Sequence, residues 1–295
     1  MTDDEYMLTA EKNYRKIKAF EKLFTPESYK AFNKTHKTGT RADYENCMNA
    51  ISLLKPVGNI EERVWYLWDY ENMPVPDGEE ITSEDFINES QLDYEGFVPF
   101  IITFLQDDPA EAKGNIILVS GGGFHFRSNS GEAYKTYPIF LDLGYNVFIL
   151  QRRIAPYSGK NSFMDLQRAI RLVRYHAEQE NWGGQDMIAA VGWSGGGGTL
   201  MGAVGFCYGA LTPAEEYDSD YIPDEIDMIN SDLDVAIPVY GVFPSDSEEL
   251  KNEPDLGTGP QIVDNPNIPA FYICQGLADE IVDPSGATEL YDILM

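Results

Sequence analysis

The sequence predicts an α/β protein with a mostly parallel sheet and helices on both faces of that sheet. From residue 116 onward, short apolar runs recur along the chain, as expected for strands that are buried on both faces. Helix-like stretches separate these runs, which is the pattern of parallel strands joined by helical crossovers. The predicted strands are Ile116–Val119, Val147–Leu150, Met187–Val191, Val235–Tyr240 and Ala270–Cys274.

The clearest helix prediction lies between the second and third of these runs. Ser162 and Asp165 have a spacing that resembles a capping box, so a helix start is predicted there. The apolar residues that follow at helical spacing define one buried face: Leu166, Ala169, Ile170, Val173 and Ala177. Pro238, by contrast, cannot donate to a strand ladder, which weakens the prediction of the fourth strand.

The remaining segments depart from this repeating pattern. Alternation at Val64, Tyr66 and Trp68 predicts a strand, and Phe97–Phe104 is a second extended candidate. Residues 213–234 are predicted to form a loop or lid whose acidic side chains are solvated. Residues 1–60 are predicted to be a helical N-terminal extension, and 61–295 the main domain. The extension is predicted from helical spacing of Tyr14, Ile17, Phe20 and Phe24.

Composition and charge limit the classes of function. The formal net charge is −28; residues 1–55 hold 10 basic and 8 acidic side chains, and residues 56–295 hold 11 and 41. Such an acidic body repels nucleic acid and anionic lipid, so neither is predicted as a partner. No apolar run approaches the roughly 20 residues of a membrane span, and the N-terminus lacks a secretory apolar region. The location is therefore predicted to be cytoplasmic.

The three cysteines point to no special chemistry. Cys47, Cys207 and Cys274 are odd in number and show no paired metal-ligand spacing. They are predicted to be free thiols in a reducing compartment, and no metal site is predicted.

One serine lies in a setting that is typical of a nucleophile. The stretch Gly192-Trp-Ser-Gly-Gly196 matches G-x-S-x-G, follows a predicted strand and precedes a helix-like stretch. A nucleophilic serine on a tight strand-to-helix turn needs small neighbours, and glycine supplies them. Ser194 is therefore the candidate nucleophile.

A second glycine-rich element follows the first parallel strand. The stretch Ser120-Gly-Gly-Gly-Phe124 exposes backbone N–H groups that can stabilise a carbonyl oxygen as it becomes negative. A phosphate-binding loop is the alternative, but neither G-x-G-x-x-G nor G-K-[ST] is present.

Together these two motifs resemble those of α/β-hydrolase serine esterases with an HGGG-type oxyanion loop. The likeness is greatest to the acetyl xylan esterase and hormone-sensitive-lipase-like branches, and it extends over about residues 95–295. Phe148–Tyr157, Asp165–Arg174 and Gln275–Val282 resemble further stretches of that family.

The resemblance implies a catalytic set and a reaction. It assigns Ser194 as the nucleophile and Asp279 as the triad acid, with oxyanion N–H groups from Gly122, Gly123 and Gly195. It implies hydrolysis of acetyl or other short acyl esters, some of them on carbohydrate, without a cofactor. His125 and Trp193 are candidates for substrate contact, and a homo-oligomer is allowed.

Three departures from the family pattern stand out. Ser120 replaces the first oxyanion histidine, and Gln151 replaces the usual tyrosine before arginine. The family order places the catalytic histidine after the acid, but no histidine follows Asp279. His125 is a candidate replacement base, whereas His176 is predicted to be a surface or boundary residue and His36 lies in the extension. The domain is therefore predicted to be truncated before its last strand.

Two alternative functions stay open on the sequence alone. One is a serine peptidase of the prolyl-oligopeptidase type, which shares the G-x-S-x-G motif. The other is a catalytically disabled binding protein on a hydrolase scaffold, which the absent histidine would explain.

Overall fold

The computed structural model describes residues 64–88, 97–129, 131–205, 209–245 and 267–295. The predicted helical extension at residues 1–60, with His36 and Cys47, lies outside these ranges, as does Cys207. Among the described helices, none is long and apolar enough to cross a lipid bilayer.

The described strands form one sheet with the order β1-β2-β4-β3-β5-β6-β7. The two strands at one edge are antiparallel to their neighbours, and all later pairs are parallel. The strands are β1 (Val64–Tyr66), β2 (Phe100–Phe104), β3 (Asn115–Val119), β4 (Asn146–Gln151), β5 (Ile188–Trp193), β6 (Val235–Val239) and β7 (Ala270–Phe271). The predicted α/β class with a mostly parallel sheet is confirmed.

Burial explains why the central strands read as continuous apolar runs. Every residue of β2, β3, β4 and β5 is buried. Helices cover the sheet on both sides. The buried side chains of sheet and helices form two separate apolar clusters. The helices are α1 (Ser83–Asn88), α2 (Ala133–Asp142), α3 (Gly159–Gln179), α4 (Gly195–Gly205), α5 (Pro213–Glu216) and α6 (Ser285–Leu294). Two single 3₁₀ turns occupy Tyr70–Asn72 and Pro109–Glu111.

The register of the parallel strands aligns their carboxyl ends. Val119 at the end of β3 pairs with Gly192, and Trp193 at the end of β5 pairs with Val239. Pro238 lies inside β6, where its carbonyl still accepts the N–H of Cys274. The loops that follow these strands therefore meet at the carboxyl end of the parallel strands.

Helix α3 begins before the predicted position. All five residues of its predicted apolar face are buried, but the helix starts at Gly159 rather than at Ser162. The Glu79 carboxylate caps this end: it accepts hydrogen bonds from the N–H and the hydroxyl of Ser158 and from the Asn161 amide. The predicted start was wrong because a residue 79 positions away supplies the cap.

The segment 213–234 is mostly loop, as predicted, but its acidic side chains are not all solvated. It contains α5, and Asp227 is only 1% exposed. Arg168 of α3 pairs with Asp224 at 2.6 Å and with Asp227 at 2.9 Å, and the Tyr221 hydroxyl donates to Asp227. Burial and the Asp227 carboxylate raise the pKa of Tyr221. The prediction of solvated acids was wrong for Asp227, because Asp227 faces a buried arginine, which sequence periodicity does not show. It holds for Glu215, Asp220 and Glu225, which are exposed.

A buried ion pair joins three distant parts of the chain. Arg153 and Asp165 are both fully buried, and their side chains meet at 2.8 Å. The Asp165 carboxylate also accepts the Trp68 indole N–H at 2.9 Å and the Arg153 backbone N–H at 2.7 Å. The pair therefore links the end of β4, helix α3 and the segment after β1.

Replacing Asp165 by Asn is expected to destabilise the fold strongly. It leaves the buried Arg153 guanidinium without its counter-charge, which costs about 3–5 kcal/mol. Urea unfolding of Asp165→Asn beside the native chain measures the change in free energy of unfolding. The matched control is Asp142→Asn at the exposed end of α2, which should change that free energy by less than about 0.5 kcal/mol. Equal effects in the two variants would contradict this account of the pair.

Candidate active site

Ser194 lies on a tight turn between β5 and α4. Its φ is 47°, a left-handed conformation that is strained for a residue with a side chain. Two backbone hydrogen bonds fix this turn: the Ser194 N–H donates to Val239 O at 3.1 Å, and the Ser194 carbonyl accepts the Gly198 N–H at 3.0 Å. Ser194 is partly exposed, whereas its neighbours on both sides are buried. The turn therefore presents the serine side chain at the surface of a densely packed backbone.

Two glycines permit this turn because backbone surrounds them. A Cβ atom on Gly192 would lie 2.4 Å from Gly196 O, and one on Gly196 would lie 2.0 Å from Val119 O. Both distances are far shorter than real Cβ contacts, and the atoms they meet belong to rigid strands and helices. Glycine is therefore required at these positions by close approach of backbone.

The Gly121–Phe124 loop lies directly against the serine turn. A Cβ on Gly121 would be 2.8 Å from Ser194 Cβ, and one on Gly195 would be 2.9 Å from the Gly123 nitrogen. Gly122 and Gly123 have φ values of 118° and 57°, so the backbone reverses here. Among the described residues, no hydrogen bond uses the N–H of Gly122 or of Gly123. These amides can therefore donate to a bound group.

Asp279 lies in the loop that follows β7. Its carboxylate accepts the N–H groups of Ile281 and Val282 at 2.9 and 3.0 Å and the Gln275 amide at 3.2 Å. The bonds from Val282 and Ile281 hold the pKa of Asp279 below its ordinary value. Asp279 is therefore a fixed, ionised carboxylate. Like Ser194, it lies beyond the carboxyl end of a parallel strand.

The structure brings no histidine between Ser194 and Asp279 within the described residues. His125 is exposed, and its backbone N–H donates to Gly122 O at 3.0 Å. His176 stacks on Trp65 at 4.0 Å between ring centroids and pairs with Glu180 at 3.0 Å on α3, as predicted for a boundary residue. The described site therefore has a serine and an acid without an assigned proton acceptor.

Other family-related residues line the same region. Trp193 is 8% exposed and packs in the apolar cluster beneath the sheet edge, which is not the position of a ring open to substrate. Ser120 is buried beside the loop glycines, and the Gln151 side chain accepts the Asn129 amide at 2.9 Å. Both of these departures from the family pattern are therefore buried, and the Gln151 side chain is bonded to Asn129.

Two residues near Ser194 were missed on the sequence. Glu132, just before α2, accepts the Gly121 N–H at 2.6 Å, and the Tyr240 hydroxyl donates to Glu132 at 3.4 Å. Burial raises the pKa of Glu132, and burial together with Glu132 raises the pKa of Tyr240 to about 12. Tyr240 is the last residue of a predicted strand, which is a usable signal. No sequence pattern marks Glu132.

Comparison with known proteins agrees with this geometry at the level of fold. No family model and no curated protein matches the sequence. Among solved structures, an acetyl ester-xyloside bifunctional hydrolase from Caldicellulosiruptor lactoaceticus matches with a TM-score of 0.55 and 20% identity, over 78% of this chain and 80% of that chain. The esterase Est2 from Thermogutta terrifontis, with propionate bound, matches with a TM-score of 0.52 and 22% identity, over 67% and 74%.

The protein has an α/β-hydrolase fold. In this fold the nucleophile elbow follows a central strand, and the oxyanion N–H groups come from the residue after the nucleophile and from the loop after β3. Gly195, Gly122 and Gly123 occupy those positions here. The arrangement can therefore place a carbonyl group between the Ser194 hydroxyl and several amide donors.

Replacing Gly196 by Ala is expected to disrupt the Ser194 turn of this α/β-hydrolase fold. The new methyl group must displace the Val119 carbonyl, and such overpacking costs about 1–3 kcal/mol. Chemical unfolding measures this loss. The matched control is Gly131→Ala, because a Cβ there meets only Ser128 atoms at 3.4 Å or more, so its effect should stay below about 0.5 kcal/mol. A Gly196→Ala protein as stable as the control would refute the claim of close backbone approach.

Proposed function

We propose that this chain is a serine carboxylic ester hydrolase that acts on short acyl esters through an acyl-enzyme on Ser194. The observation that carries the proposal is the contact between the serine turn and the Gly121–Phe124 loop, with the Gly122 and Gly123 amides free of partners among the described residues. Structural neighbours with this fold include an acetyl ester hydrolase and an esterase that binds propionate. These names support a short acyl group, and the first supports a carbohydrate alcohol.

The proposed reaction follows from these positions. Ser194 Oγ attacks the ester carbonyl carbon, and the carbonyl oxygen gains negative charge as the new C–O bond forms. The N–H groups of Gly122, Gly123 and Gly195 stabilise that charge; one such donor contributes about 10²–10³ in rate. The base that takes the Ser194 proton returns it to the leaving oxygen as the C–O bond to the alcohol breaks, and the alcohol departs. Water then attacks the acyl-enzyme, which releases the carboxylic acid and restores the Ser194 hydroxyl. No metal or cofactor is required by this scheme.

The described residues do not identify the group that accepts the Ser194 proton in this scheme. A serine hydroxyl is a weak nucleophile until a base removes its proton, and Asp279 in this proposal orients that base. His125 is the histidine nearest to the loop in sequence, so it is the first candidate to be tested by substitution. The disabled-protein alternative is favoured by one observation, the absence of a described histidine contact to Ser194 or Asp279.

Hydrolysis of p-nitrophenyl acetate by the full chain tests the proposal. We expect turnover above the uncatalysed rate, and we expect Ser194→Ala to lose at least about 10³ in kcat because the nucleophile is removed. The matched control is Ser219→Ala, an exposed serine bonded to Asp77, which should retain the native rate. Extending the acyl chain from acetate to decanoate should lower kcat/KM.

Two results would contradict the proposal. Equal turnover by the native chain and Ser194→Ala would show that Ser194 is not the nucleophile. Background rates in both proteins, with native unfolding curves, would favour the binding-protein alternative.

A further inference from the structure

Glu132 is attached to the backbone that passes the nucleophile. Its Oε2 atom accepts the Gly121 N–H at 2.6 Å, and the Gly121 carbonyl accepts the Ser128 N–H at 3.1 Å. Gly121 is therefore held at both its N–H and its C=O. The next two residues carry the amides that are assigned to the oxyanion.

Glu132 and Ser194 both lie beside Gly121. A Cβ on Gly121 would lie 2.8 Å from Ser194 Cβ and 3.2 Å from Glu132 Oε1. The two side chains therefore border the same space next to the Gly121 backbone. The residue that Glu132 holds through its N–H is thus the one that contacts the nucleophile.

The hydrogen bond to Glu132 also determines which amides are free. The Gly121 N–H is used by the carboxylate, so it cannot donate to substrate. Gly122 and Gly123 follow with φ values of 118° and 57°, and their N–H groups have no hydrogen-bond partner among the described residues. The fixed first amide adds to the bonds that the Gly121 and Gly122 carbonyls accept, and together they restrict a glycine run that would otherwise adopt both signs of φ readily.

The surroundings of Glu132 act on its charged form in opposite directions. Burial disfavours its charge and raises its pKa, whereas the Gly121 N–H, the Tyr240 hydroxyl and the Arg152 charge oppose that rise. Tyr240 in turn interacts with Cys274 and Asp279. The Gly121 N–H bond at 2.6 Å is thus one of the contacts that keep this partly buried carboxylate charged.

We propose that Glu132 is a positioning residue of the Ser194 site: by holding Gly121, it orients the Gly122 and Gly123 amides toward the substrate carbonyl. This inference rests on the proposed function. It assigns the effect of Glu132 to hydrogen-bond geometry rather than to proton transfer.

Two substitutions separate geometry from charge. Glu132→Gln keeps the length of the side chain and an oxygen that can accept the Gly121 N–H, but it removes the charge. Glu132→Asp keeps the charge but shortens the side chain by one methylene, so it cannot reach Gly121. The matched control is Glu215→Asp, since Glu215 also accepts a backbone N–H, from Thr212 at 2.8 Å, in a capping box of α5.

Steady-state kinetics of p-nitrophenyl acetate hydrolysis give the first readout. We expect Glu132→Asp to lower kcat by about 10² with KM changed less than twofold, because oxyanion donors act in the transition state. Glu132→Gln should stay within about tenfold of the native kcat, and Glu215→Asp should match the native chain. An inactive Gln variant beside an active Asp variant would overturn the inference, since it would point to proton transfer.

Hydrogen exchange gives a second readout that does not depend on turnover. The peptide spanning residues 119–126 should exchange faster in Glu132→Asp than in the native chain, with no change in Glu132→Gln or Glu215→Asp. Unchanged exchange in Glu132→Asp would overturn the positioning role even if the enzyme is active. If the native chain shows no turnover, the proposed function fails, and the exchange experiment still decides whether Glu132 positions the loop.

Discussion

Backbone packed directly against backbone, at the carboxyl ends of β3, β5 and β6, determines where the Ser194 turn and the Gly121–Phe124 loop lie. Gly196 leaves no room for a side chain against Val119, and Gly197 meets Gly241 in the same way. The Ser194 N–H bonds to Val239 at the end of β6. Because the three strands are in fixed parallel register, the serine turn and the glycine loop are placed by the sheet rather than by flexible side chains.

The strained conformation of Ser194 is a consequence of this packing. A positive φ at a non-glycine residue costs about 1–3 kcal/mol and persists only where the surroundings define it fully. Here the neighbours on both sides of Ser194 are buried, and its N–H and C=O are both hydrogen-bonded. These contacts fix the positive φ. The strained φ of Ser194 thus accompanies a turn that exposes its side chain beside densely packed backbone.

Farther from the site, buried polar contacts connect helix α3 to segments that are distant in sequence. Glu79 caps its start, Asp165 pairs with Arg153 near the end of β4, and Arg168 binds the acidic segment before β6. Helix α3 therefore fixes both the sheet and the chain that crosses over it. Each of these contacts joins residues that are more than ten positions apart in the sequence.

Features that depend on residues close together in the sequence can be predicted from it. Features that depend on partners distant in the sequence cannot. Apolar runs predict the parallel strands because burial on two faces leaves a local signature, and G-x-S-x-G predicts the elbow because its steric demand is local too. The earlier start of α3, the burial of Asp227 and the contact of Glu132 with Gly121 depend on partners brought together only by folding. No periodicity in the sequence contains that information.

The central claim is that Ser194 is an activated nucleophile facing the glycine loop. Labelling of the folded chain with a fluorophosphonate, followed by peptide mapping, tests it most directly. The account predicts one covalent adduct on Ser194, which is lost when the chain is unfolded in urea before labelling. An adduct on a different residue, or a folded chain that does not react above the rate of the urea-unfolded one, would contradict it.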